Sequence, residues 1–251
     1  MQQEQWQQWR AERMAELREP HGWLSLVNLE VLSSRPEALE SFPGIWSADD
    51  HVVHAVFRAE DQVFQDGEQV TGQVTLEIPQ GESDTSLSDS AGRIAEVASR
   101  LGKIVVRTRD PQAPTRTEFS QTDTYPFDPR WVVEGPWEGF ESPVSVPILS
   151  VYKDTPTSLP ILGKATFLGR EMLVSGQDME SLKIIFHDKT NGDTTEGWRS
   201  APVTVQGDRA TVDFNRAVNF PAHFTPFGTC PTPPEGNTFD TPVTAGERKI
   251  Q

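Results

Sequence analysis

The sequence predicts a mainly β fold, an antiparallel barrel or sandwich with an N-terminal helical extension. Two observations carry this expectation. From about residue 50 onward, short runs alternate apolar and polar residues, the period of a half-buried strand. Between those runs lie Gly, Asp and Asn pairs instead of long helical patterns, which argues against a parallel α/β sheet. Hydrophobic residues make up 35% and charged residues 24% of 251, enough apolar content for a packed core.

Trp6, Trp9, Arg13 and Leu17 recur at helical spacing with Met14 alongside, so the first residues form an amphipathic helix laying an aromatic stripe on its own domain. Glu19-Pro20 ends it, because a residue before proline is pushed out of the α region. Gly22 to Leu32 continues as an apolar run, either a second helix or a first buried strand. Residues 1–32 are therefore read as a helical extension and 33–251 as a single all-β domain. Strands are expected in "HVVHAVF", "QVFQDGEQV" and "QVTLEIP", with Asp66-Gly67 as a hairpin turn. Others are expected in "GRIAEVASR", "KIVVRTR", "RTEFSQ", "RWVVEG", "SVPILSVY", "KATFLGREMLVS", "LKIIFHD" and "APVTVQGDRATVDFN". Ile78 to Asp89 is the most loop-like stretch.

A formal net charge of −15 repels phosphate backbones and anionic lipid, so neither nucleic acid nor a membrane is expected as a partner. Cys230 is the single cysteine and allows no intrachain disulfide. With no apolar segment resembling a signal peptide or a membrane helix, a cytoplasmic protein is expected.

Four blocks occur in one order: "HGWLSLVNLEVL", then "GKIVVRTRDPQAPTRTEF" with "YPFDPRW", then "IIFHDKTNGDTTEGWR", and finally "DFNRAVNFPAHFTPFGTCPTPPEGNTF" followed by "AGERK". Together they resemble a bacterial family catalogued as domain-of-unknown-function family 1684, over about Trp6 to Lys249. The resemblance implies a mostly β fold and brings no established reaction. Two positions depart from the family pattern. Ala222 stands where a second cysteine is typical, and Trp198 stands where a glycine precedes the arginine.

Candidate chemistry is sparse. His51 and His54 are three apart and point to opposite faces of a strand, so no metal site is expected, and no cofactor motif is present. Cys230 with His223 seven residues earlier is the one conceivable thiolate–imidazole pair. Asp110 and Asp188 suit turns in which a carboxylate accepts backbone N–H groups. Arg107 and Arg109 share one strand face, and Arg199 and Arg216 fall in the distinctive motifs. Such guanidinium groups meet either internal acids or an anionic ligand. Asp213 and Asn215 are expected on one strand face with Phe214 opposite, while Asn215, Asn219 and Asn237 are placed to cap loop backbone.

The leading expectation is a module binding a small anionic or polar metabolite in an arginine-lined pocket, with Arg107, Arg109, Arg199, Asp213, Asn215, Arg216 and Asn219 as site residues. One alternative is a hydrolase using Asp213 or Glu247 as general base or Cys230 as nucleophile. Another is an interaction module using the Trp6/Trp9 helix.

Overall fold

A computed structural model describes residues 2–250. Met1 and Gln251, the outer bounds of the two predicted segments, lie outside the described residues. Helix α1 spans Gln2–Leu17 and ends three residues before Pro20. No described helix is long and apolar enough to cross a membrane. The chain divides into two compact units. One comprises Ala15–Phe119 and Thr225–Thr229, the other Met1–Met14, Ser120–Phe224 and Cys230–Gln251.

The unit of Ala15–Phe119 is a two-sheet sandwich. Its strands are β1 (Leu26–Val31), β2 (Glu37–Ala38), β3 (Ile45–Asp49), β4 (Val52–Phe57), β5 (Val63–Gln65), β6 (Glu68–Gln69), β7 (Gly72–Glu77), β8 (Ser83–Asp89), β9 (Ile94–Arg100) and β10 (Lys103–Arg109). One sheet runs β1-β10-β9-β8-β5-β6, the other β2-β3-β4-β7. Both contribute to one core, Trp46 and Phe57 from the smaller sheet meeting Leu87, Val97 and Val106 from the larger. Trp46 lies edge-on to Phe42 and Phe57, at 6.0 and 5.6 Å between ring centres. The Asp66-Gly67 turn has positive φ at both residues, as a type I′ hairpin requires.

The other unit is a closed barrel. Its strands are β11 (Val132–Ser150), β12 (Thr155–Phe167), β13 (Arg170–Ser175), β14 (Lys183–Phe186), β15 (Arg199–Gln206), β16 (Arg209–Asp213) and β17 (Val218–Asn219). The order β14-β13-β12-β11-β16-β15 returns to β14 through Phe186↔Arg199, so six strands close the ring, and β17 adds to β15. The pairings between these strands are antiparallel. Closure leaves no edge along the paired strands. Side chains fill the interior, with Phe186, Phe214 and Phe239 mutually edge-to-face at 5.4–5.6 Å. Close backbone approach requires glycine at Gly135 and Gly246 among others. A Cβ on Gly135 would stand 1.8 Å from the Thr166 carbonyl oxygen, and one on Gly246 would stand 2.5 Å from that of Ala217.

The predicted mainly β class is what the molecule has, with barrel and sandwich both present. Several local expectations differ. Ile78 to Asp89 is not all loop: Ser83–Asp89 forms β8, whose polar side chains close on themselves as Asp84 Oδ1 accepts from Ser86 N and Oγ. The "RTEFSQ" run is no strand, because Pro114 starts a single helical turn, Pro114–Thr117, for which proline is suited. Gly22 to Leu32 resolves into a short 3-10 turn, Trp23–Ser25, and then β1. Strand β16 stops at Asp213, and Phe214–Arg216 turn as a 3-10 helix, so Asp213 and Asn215 do not share a strand face.

Gly246 has φ +76° as well as the backbone approach above. Gly246→Ala is therefore expected to lower stability by more than about 1 kcal/mol, read as a reduced urea midpoint. An unchanged midpoint would show that the loop relaxes freely.

Candidate functional site

The "DFNRAVN" stretch builds a hydrogen-bonded corner at the end of β16. Asp213 caps the 3-10 turn by accepting from Asn215 N at 3.0 Å, the role that a short carboxylate fills at a helix start. Asn215 is buried and engages both backbone polar groups of one residue: Nδ2 donates to Asp128 O at 3.0 Å, and Oδ1 accepts from Asp128 N at 3.0 Å. Its own carbonyl accepts from Trp6 Nε1 at 2.9 Å. Arg216 Nε lies 3.3 Å from Asp213 Oδ2, an ion pair lacking hydrogen-bond alignment, and its guanidinium sits over Trp9.

Arg199 is the centre of a second, fully buried network. Nη2 donates to Asp188 Oδ2 and to Val243 O, both at 2.9 Å, while Nη1 donates to Ala245 O and to Glu247 O. Burial pushes its pKa downward against the pull of Asp188. Asp188 also accepts from Thr190 N at 2.7 Å and from Val243 N at 3.2 Å, so it is both the turn-capping aspartate expected and an ion-pair partner. Asp110 likewise accepts from Gln112 N at 2.7 Å.

Glu247 lies next to this network. Its carboxylate accepts from Asn219 N at 2.6 Å and from Arg13 Nε at 3.2 Å, and Asn219 Nδ2 reaches Arg248 O. Desolvation raises the Glu247 pKa, with Arg13 opposing. This is the dehydrated carboxylate that a general base would need, but it is fully buried and already bonded on both oxygens.

Outside this corner a cleft of about 750 Å³ is lined by Tyr125, Pro126, Phe127, Asp128, Pro129, Arg130, Trp131, Leu168 and Thr244. None of the seven expected site residues lines it. Two of them stand behind its walls: Asn215 pins Asp128, and Arg199 pins the residues on both sides of Thr244, while Tyr125 N donates to Gly246 O at 3.0 Å. Arg130 is the exposed cation of the cleft, joined to Asp128 Oδ2 through Nη2 at 2.6 Å. The Asp128 pKa is held low by those Arg130 hydrogen bonds.

Arg107 and Arg109 belong to the sandwich unit. They do share one face, both guanidinium groups lying over Trp23 and both reaching Glu96, at 3.2 and 2.6 Å. The remaining candidates are engaged elsewhere. His223 turns Nδ1 toward Glu196 at 3.6 Å and Nε2 toward Trp198 O at 3.2 Å, and burial lowers its pKa. Cys230 is buried, its carbonyl accepting from Val151 N. Trp6 is 8% exposed, packed against Phe127. The cleft residues were within reach of sequence reading. "YPFDPRW" groups three aromatics, two prolines and an Asp–Arg pair in seven residues, the composition of a rigid, partly apolar wall.

The pattern described as "Protein of unknown function (DUF1684)" matches residues 117–248. An uncharacterized protein of Haloarcula marismortui, solved in solution by NMR, is 29% identical over 53% of this chain and 78% of that one, with a TM-score of 0.43. No curated protein matches the chain.

Asn215→Ala leaves Asp128 N and O unpaired and is expected to cost about 1–3 kcal/mol in urea unfolding. No loss would mean water replaces the amide. Glu247 gives a pH signature. Between the ordinary glutamate range and its raised value, the folded protein holds a proton that the unfolded chain has released. Stability therefore falls as pH rises through that window and levels off above it. Glu247→Gln removes the slope, so the wild type should lose stability relative to the variant as pH rises from about 4.5, measured as urea midpoints across pH. Parallel profiles would contradict the assignment.

Proposed function

The chain belongs to the DUF1684 family of proteins of unknown function, and from its geometry we propose that the barrel unit binds a small polar or anionic molecule in the Tyr125–Trp131 cleft. The observation that carries this reading is a cleft of about 750 Å³ whose walls are fixed from behind by buried hydrogen bonds. That volume lies in the range of small-molecule sites, roughly 300–1,000 Å³. Tyr125, Phe127 and Trp131 offer aromatic surface, and prolines on both sides of Asp128 stiffen the segment by fixing φ. Asp128 orients Arg130 through Nε and Nη2, and among the described residues Nη1 has no partner. A guanidinium held in this way presents its remaining donors to a carboxylate or phosphate.

Asn215, Arg199 and Asp213 act as positioning residues in this reading, since each touches the cleft wall or its support. Pre-organised walls reduce the ordering that binding must otherwise impose.

The test is a thermal-shift and saturation-transfer NMR screen of aromatic carboxylates, sugar phosphates and neutral polar metabolites on the full chain. Thr244→Trp fills the cleft from an exposed position, and Arg130→Ala removes its cation without touching the core. At least one ligand class should raise Tm, with the response abolished in Thr244→Trp. Anionic ligands should weaken about tenfold in Arg130→Ala, equivalent to about 1.4 kcal/mol. A screen without ligands, or ligands indifferent to Thr244→Trp, would overturn the proposal.

A further inference from the structure

Charge in the sandwich unit does not balance around Glu96. Arg107 Nη1 lies 3.2 Å from Glu96 Oε1, Arg109 Nη2 lies 2.6 Å from Oε2, and Arg100 Nη2 lies 3.9 Å from Oε1. Three guanidinium groups thus gather on one carboxylate. The charged groups acting on Arg107 are Glu96, which favours the cation, and Arg100 and Arg109, which oppose it. Arg107 is only 2% exposed, and its Nε is buried with no hydrogen-bond partner.

The other donors go mainly to neutral acceptors. Arg109 Nη1 reaches His21 O and Gly22 O, and Arg100 Nη1 reaches Gly81 O, Glu82 O and Ser99 O. Carbonyl dipoles satisfy hydrogen bonds without cancelling the surplus charge. A buried surplus is costly unless a counter-charge meets it. The Trp23 ring covers the Arg107 and Arg109 guanidinium groups at 5.6 and 5.0 Å, a stacking that leaves the planar edges as the direction for further bonding. Thr229 Oγ1 accepts from Arg107 Nη2 at 2.6 Å, so its own hydroxyl proton remains available to donate.

We propose that Arg100, Arg107 and Arg109, gathered on Glu96 beside Trp23 and Thr229, hold a small oxyanion of the phosphate or sulfate class. Arginine suits such an ion because its planar fork matches tetrahedral oxyanions with two donors at once. The site lies wholly within the sandwich unit and does not rest on the cleft reading.

The probe is inorganic phosphate, with sulfate in parallel, titrated into the full chain at constant ionic strength and read by thermal shift and isothermal calorimetry. Saturable stabilisation is expected in the wild type. Arg100→Gln, which alters the most exposed of the three arginines, should weaken it at least threefold. Glu96→Gln enlarges the surplus and should tighten it several-fold even if the variant starts from a lower Tm. Arg130→Ala should leave the response intact. A wild type indifferent to phosphate would overturn the proposal. So would a response unmoved by both Arg100→Gln and Glu96→Gln, or one abolished by Arg130→Ala, which would put the anion in the cleft.

Discussion

Arg199 enters the barrel at the first residue of β15, flanked by Phe186 on β14 and Asn219 on β17, and its guanidinium meets one carboxylate and three carbonyls away from water. Taking such a pair out of solvent costs several kcal/mol per ion. It is tolerated here because the partners surround it, and deleting one partner of a buried pair typically loses about 3–5 kcal/mol. All four Nη hydrogens are used. Three of them hold Val243, Ala245 and Glu247, so the segment after the last barrel strand is tethered at alternate residues. The tether constrains the two residues beyond Ala245. Gly246 must pass within backbone reach of Ala217, and Glu247 must point inward, where Arg13 of α1 and the Asn219 amide receive it.

Asparagine performs the same task three times by a different route. Asn215 bonds to N and O of Asp128, Asn237 bonds to N and O of Leu173, and Asn191 accepts from Asp188 N while donating to Glu196 O. A primary amide carries the donor and acceptor of a peptide group on a short tether. It can therefore complete a ladder where the chain itself cannot. At Asp128 the need is increased by Pro126 and Pro129 nearby, since proline lacks an N–H and leaves neighbouring carbonyls to find other donors.

The strand-rich class was legible because period-two alternation reports on one buried face, and turns such as Asp66-Gly67 report on backbone sign. The arginine pair on β10 was legible for the same reason, two residues apart on one face. What escaped reading depends on partners distant in sequence. Ring closure rests on β14 meeting β15, and no local pattern announces a closed sheet. Strand β8 was hidden because its polar residues bond to one another, giving the composition of a loop. Asp213–Asn215 continued an alternating run in letters, yet the aspartate's tendency to cap a turn prevailed over strand periodicity at the sheet's end. The cleft was missed for a physical reason too: its walls are aromatic and proline-rich, whereas polar density drew attention to the corner behind them.

A dense cluster of hydrogen-bonding side chains is a poor guide to where a ligand goes. A donor already facing a carbonyl must exchange one hydrogen bond for another, which nets little. Ligand chemistry is favoured instead where a donor is oriented but incompletely used, or where charge is left uncompensated. By that criterion Arg199 and Asn215 are architectural, their Nη and amide groups being occupied, although they decide where Asp128 and Thr244 stand. Arg130 and Arg107 differ in the relevant sense. The first is aimed by Asp128 with a donor group left over, and the second is buried among like charges with only one bond from each Nη, whereas Arg199 has every Nη hydrogen in use. In the readings proposed above, motifs rich in Asn, Asp and Arg mark the scaffold, and a ligand is sought where donors or charge are left unmatched.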